Sequence, residues 1–198
     1  MNEPLTIAGF TTSPLELSSM LLSLAMVLLD IRRNHWAWLL AIVSSGAYAV
    51  VFFDAKLYGD AGLQAVFIGA AIWGWTKWLH GAHGKPLTVT RLGGSGWTWS
   101  LIGWVIGYVL LRFFLVTYTN SDVPDMDAFL TAGSLVATAQ AAYKKVQNWI
   151  TWIVVDVLYV GLYVFKNLHV TAVLYAGFVV MAAFGLAAWR RAARDGTP

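Results

Sequence analysis

WLLAIVSSGAYAVVFFDAKLYGDAGLQAVFIGAAIWGWTKW, residues 38–78, lies over WITWIVVDVLYVGLYVFKNLHVTAVLYAGFVVMAAFGLAAW, residues 149–189, without a gap at an offset of 111 residues. Trp38 falls on Trp149, Tyr48 on Tyr159, Phe67 on Phe178, Gly74 on Gly185 and Trp78 on Trp189. Matching leucines and alanines carry little weight in an apolar chain. Coincident tryptophans, a tyrosine and an aligned acid pair (Glu16 on Asp127) carry more, because self-similarity at a fixed period marks a repeat architecture.

Each copy reads as more than one membrane span. The chain is 59% hydrophobic and 12% charged, against about 45–50% and about 25% in soluble domains. Lipid is the simple destination for that excess. A spanning helix takes roughly 20 apolar residues, and seven stretches qualify or come close: about 14–31, 36–53, 61–79, 97–118, 126–143, 148–165 and 168–189. The fifth is small and polar-tinged, so it is expected inside the bundle, where small and hydroxyl residues let helices approach. Short loops leave no room for a soluble domain, so one membrane domain is expected over 1–198.

The offset carries topology. Helices 1–3 map onto helices 5–7, with helix 4 as a linker, giving an all-α membrane protein with a parallel 3+1+3 repeat: repeat 1 about 14–79, linker about 97–118, repeat 2 about 126–192. Such parallel repeats occur in transporters, with the substrate site between the halves. Basic residues split 10 against 3 between the two sides of a seven-span chain. The richer side holds Arg32, Arg33, Lys77, Lys85, Arg91, Lys144, Lys145, Arg190, Arg191 and Arg194. The positive-inside rule then places the N-terminus outside and the C-terminus in the cytoplasm. The N-terminus lacks a positive n-region and a cleavage site, so no signal peptide is expected.

With no cysteine in the sequence, disulfides and thiolate metal sites are excluded. His80 and His83 lack a third ligand, so no metal and no cofactor are expected. Catalytic and phosphate-binding motifs are absent too, which argues against an enzyme and against a self-powered pump. No nucleic-acid partner is expected.

Two stretches are unusually polar and aromatic for membrane segments. Helix 3 carries Asp60 and Gln64 four apart, with Trp75 and Trp78 near the same stripe. Helix 6 carries Asn148, Trp149, Trp152 and Asp156, and Tyr159 and Tyr163 continue its face. Aromatic rings, an amide and a carboxylate suit a flat organic ligand, above all a cation over a tryptophan face. A bland reading stands beside each. Trp36, Trp38, Trp97, Trp99 and Trp189 read as interfacial belt. Asp60 complements a helix dipole. Gln64, Trp149, Trp152 and Asp156 are open to packing and ligand roles alike. Tyr48 and Tyr159 read as packing residues or a symmetric gate.

LYGDAGLQAVFIGAAIWGWTKW (57–78) and NWITWIVVDVLYVGLYVFKNLHVTAVLY (148–175) resemble the signature segments of the PnuC family of nicotinamide riboside transporters, a likeness that runs over roughly residues 14–192. The resemblance implies the seven-helix 3+1+3 plan, a homotrimer in the bacterial inner membrane, and facilitated diffusion. It implies that a cytoplasmic kinase traps the arriving nucleoside for NAD biosynthesis. It places the substrate cavity on Gln64, Trp75, Trp78, Asn148, Trp149 and Trp152, with Asp156 and Tyr163 beside them. One departure is Ala37, where the second repeat has Asn148. The alternatives within the same fold are uptake of thiamine first, then riboflavin. Outside transport, the alternative is a ligand-binding membrane sensor.

Overall fold

The computed structural model describes residues 5–7, 10–12, 14–54, 58–81 and 85–196. Lys56, Leu57 and His83 lie outside these residues, as do the side chains of Glu16 and Asp60. Among the described residues there are seven helices: α1 Pro14–Ile31, α2 Trp36–Asp54, α3 Tyr58–His80, α4 Gly94–Tyr118, α5 Pro124–Ala142, α6 Asn148–Phe165 and α7 His169–Asp195. A short antiparallel hairpin, β1 Leu5–Ile7 with β2 Phe10–Thr12, precedes them and was not expected from the sequence. By length and composition α4, α6 and residues Thr171–Asp195 of α7 are each sufficient to cross a bilayer.

The helix ends have local causes. Pro124 occupies the first turn of α5, where its missing N–H costs nothing, and Asp125 and Asp127 complement the dipole there. Gly196, with φ +65°, ends α7 in the left-handed conformation that glycine adopts freely. That helix runs six residues past the expected end. Hydropathy stops at Trp189, but RRAARD is a good helix former and continues the spiral beyond the apolar part.

The turn between α1 and α2 and the turn between α5 and α6 are built alike. Arg33 and Lys144 both adopt positive φ, +59° and +49°. Arg33 N–H donates to Asp30 O (2.9 Å) and Lys144 N–H to Ala141 O (2.8 Å). Asn34 N–H donates to Leu29 O, and Lys145 N–H to Gln140 O. Every one of these pairs is separated by the same 111 positions.

Packing follows a ring. α1 lies on α2 and α7, α2 on α3, α3 on α5, α5 on α6, and α6 on α7. The contacts α1–α7 and α3–α5 exchange if the first triplet is swapped for the second. α4 packs mainly on α5, outside the ring. Its Leu101, Val105, Leu110 and Phe113 point away from the protein, as lipid-facing side chains do. α5 is the buried helix, with Leu130, Thr131, Gly133, Ser134, Ala137 and Gln140 inside, as its composition led one to expect. Gly133 makes this possible: a Cβ there would stand 2.4 Å from Trp104 and 2.7 Å from Val155.

Candidate functional site

At the end of the bundle that carries most basic residues, four tryptophans form one cluster. Trp38 meets Trp78 edge to face, with centroids 5.7 Å apart and planes at 84°. Trp149 meets Trp189 in the same way, 5.6 Å apart at 84°. Trp78 and Trp189 join the two pairs at 6.0 Å. The indole N–H of Trp78 donates to Ala141 O at 3.0 Å, and that of Trp189 donates to Asp30 O at 3.2 Å. Each triplet thus anchors a tryptophan on the backbone of the other. Trp38 lies flat on Gly74 and Trp149 on Gly185, where a Cβ would stand 2.4 Å and 2.6 Å from the rings. Glycine is required at both places by close approach.

This corrects part of the belt reading. Trp38 is 7% exposed and Trp189 is fully buried, so neither faces a membrane interface. A tryptophan near a helix end suits either place, and only the packing partner decides. Trp36 and Trp99 are exposed, as belt residues are.

Five of the sequence-derived site residues meet at this end. Trp78 and Trp149 are in the cluster, and Trp75 and Trp152 pack half-buried against it. The Trp75 indole approaches His35 Nδ1 at 3.4 Å. Asn148 is fully buried; its amide N–H donates to Lys145 O at 2.7 Å. Asn148 Oδ1 and the neighbouring Trp149 indole N–H are buried with no hydrogen-bond partner, as is the indole N–H of Trp38. Buried polar atoms are normally satisfied, and these orphans, with Asp30 Oδ1, are exceptions to that rule at this end of the bundle.

The remaining site residues stand deeper. Asp156 is buried midway along α6, about 12 Å from Asn148 at 1.5 Å per residue. One turn further, Tyr159 and Tyr163 stack with centroids 5.7 Å apart, and Tyr175 of α7 lies 4.9 Å from each. Tyr159 faces Thr131 and Ser134 of α5, and Tyr163 lies within electrostatic range of Tyr48 from the other triplet. Asp156 neighbours Tyr175 in the same sense. Gln64 is half-buried, about 21 Å along α3 from Trp78. The site residues therefore stand at two levels along the helices rather than in one cluster.

Tyr175 and a polar chain across α4, α5 and α6 were missed in the sequence. The Gln140 amide donates to Ser100 Oγ at 3.0 Å, and Thr151 Oγ1 donates to Gln140 Oε1 at 2.9 Å. Polar side chains within apolar spans were the available signal for Gln140 and Thr151. For Tyr175 the signal was its alignment with Gln64 at the 111-residue offset. Among the described residues no group of three or more histidines or acidic side chains could hold a metal ion.

Residues 13–191 match the family model described as nicotinamide mononucleotide transporter. The riboflavin/roseoflavin transporter RibM of Streptomyces davaonensis is 29% identical over 189 residues, covering 90% of this chain and 85% of that protein. The nicotinamide riboside transporter PnuC of Neisseria mucosa is 25% identical over 172 residues, covering 78% of this chain and 63% of that protein. A crystal structure of the vitamin B3 transporter PnuC shares the fold, with a TM-score of 0.69 at 20% identity over 90% of this chain and 81% of that one.

Proposed function

Because the chain belongs to the nicotinamide mononucleotide transporter family, that of the PnuC proteins, we propose that it carries nicotinamide riboside into the cell by facilitated diffusion. The observation that carries the choice of cargo is Asp156. It is buried midway along α6, beside a wall of tyrosine rings, and among the described residues no basic side chain pairs with it. An intramembrane carboxylate is costly to bury and is by default a candidate functional group. A flat pyridinium supplies both the missing charge and a ring to stack. At the other level, a carboxamide would donate to Asn148 Oδ1 and accept from the Trp149 indole, satisfying both orphans at once. Trp75, Trp78, Trp152, Gln64 and Tyr163 complete the proposed contacts, which the ligand meets in succession as the tryptophan cluster opens.

The reading includes a parallel 3+1+3 duplication in one membrane domain. The paired turns, the paired indole–glycine contacts and the exchange of α1–α7 for α3–α5 support it. It includes the N-terminus outside and the basic end in the cytoplasm, a homotrimer in the bacterial inner membrane, and a kinase that phosphorylates the arriving nucleoside. Such trapping requires no coupled ion. Thiamine, also a flat aromatic cation, meets the same chemistry. Riboflavin is neutral; the likeness to RibM is what favours it as the second reading.

The test is a thermal-shift series on the purified protein with nicotinamide riboside, thiamine and riboflavin. A ligand that binds the folded state raises its apparent stability by mass action. The largest shift is expected with nicotinamide riboside. A shift with riboflavin alone would transfer the assignment to the second reading.

A further inference from the structure

Within the connection between α3 and α4, residues 87–92 do not hang free. They cross the basic end of the bundle and fasten to the α5–α6 turn. Thr90 N–H donates to Lys144 O at 3.1 Å, and Val146 N–H donates to Thr90 O at 3.0 Å, forming a parallel bridge. Leu92 N–H donates to Gln147 Oε1 at 2.9 Å, and the Lys145 ammonium donates to Thr90 Oγ1 at 2.8 Å. These bonds hold Val89, 2% exposed, within the core cluster that contains Trp38, Trp78, Trp149 and Trp189. Leu87 packs beside it. The Lys144 ammonium lies 5.0 Å over the Trp78 ring, tying the same turn to α3.

We propose that this strap is the bolt of the cytoplasmic mouth, released when cargo leaves and refastened afterwards. The proposal rests on the transport reading and the orientation given above. The four tryptophans come from both triplets and fill the end through which cargo must pass. Val89 belongs to the same buried cluster, reaching it from a segment with no helix or sheet of its own. Cargo leaving by this end must therefore displace Val89. The Thr90 bridge is two backbone bonds long, and short, irregular segments of this kind open locally before a core does. Among the described residues the strap latches on the α5–α6 turn, and at the α1–α2 turn the backbone of Trp36 is capped locally by Asn34 Oδ1.

The absence of native cysteines makes a clean lock possible. Thr90→Cys/Lys145→Cys places two thiols on facing bridge partners, at a spacing that a disulfide accepts. With labelled nicotinamide riboside and labelled riboflavin as probes, proteoliposome uptake by the oxidised double variant is expected to fall at least tenfold. Reduction should restore it, and neither single variant should lose uptake. Ligand-induced thermal shift should survive oxidation, because the lock blocks passage and not binding. Undiminished uptake with the disulfide verified by mass spectrometry would overturn the proposal. A second variant avoids the cross-link: Val89→Ala shortens the bolt and should raise the exit rate severalfold at unchanged affinity, and an unchanged exit rate would count equally against it. If wild-type protein moves neither probe, the transport reading itself has failed, which is a different result.

Discussion

Replacing Gly185 by alanine puts a methyl group where Trp149 now lies. The new Cβ would stand 2.6 Å from two atoms of the indole, well inside contact distance. Trp149 has little room to retreat, because Trp189 stands against it and the pair is buried. Overpacking of this kind costs about 1–3 kcal/mol. Removing a glycine from a helix interior returns about 1 kcal/mol through backbone entropy. Gly177→Ala in the same helix shows the second effect alone, since nothing lies within 4 Å of its Cβ position. The difference between the two variants is therefore the packing cost alone. At about 2–4 °C per kcal/mol for a chain near this size, Gly185→Ala should unfold roughly 2–12 °C below Gly177→Ala. Tryptophan fluorescence during heating in detergent measures this, with both variants run at one scan rate because unfolding of such proteins is often irreversible. Gly74→Ala, whose Cβ would stand 2.4 Å from Trp38, should behave like Gly185→Ala. If Gly185→Ala melts at or above Gly177→Ala, the indole–glycine contact does not hold the two triplets in the way described.

Other outcomes follow from the same geometry. Asp156→Asn should weaken binding of a cationic cargo about a hundredfold, since a unit charge at 5 Å in an effective dielectric near 20 is worth about 3 kcal/mol; equal loss for riboflavin in a titration would refute a charge-reading role. Trp152→Ala and Gln64→Ala should each reduce ligand affinity while the protein stays folded, the tryptophan by about 0.5–2 kcal/mol if it meets the cation; unchanged affinity in both would remove them from the site. Thr151→Val takes the donor from Gln140 Oε1, and leaving a buried acceptor unpaired should cost about 1–3 kcal/mol of stability in a melting experiment. Burial, reinforced by Arg33 and opposed by Asp30, holds Lys144 below the ordinary lysine range. The folded protein then sheds that proton before the unfolded chain does, so stability should rise with pH between the lowered value and the ordinary one. Lys144→Met should flatten that rise in melting temperature, and a slope unchanged by the substitution would assign it elsewhere.

The helices were legible because lipid demands long apolar segments, and the expected ends of α1 and α6 coincide with the observed ones. The buried α5 was legible for a related reason: alanine, glycine and serine in a span cannot serve a lipid face well but pack closely. The excess length of α7 was not, since hydropathy measures what lipid accepts and not where a helix stops. For the site, the 111-residue offset aligned Gly74 with Gly185 and Trp38 with Trp149, but composition could not reveal that each indole sits on the glycine. That contact links residues 36 apart in the chain, and Trp38 read as belt until its partner was visible. The strap over residues 87–92 left no trace in periodicity. Its order comes from bonds to a turn more than 50 residues away, which no local pattern encodes.

The most direct test of the account is uptake of labelled nicotinamide riboside by proteoliposomes containing the purified protein. Saturable entry that persists when the proton gradient is collapsed, and that accumulates when the trapping kinase and ATP are enclosed, is the result the account predicts. Binding without flux, as a membrane sensor would show, or flux that vanishes with the gradient, would contradict it.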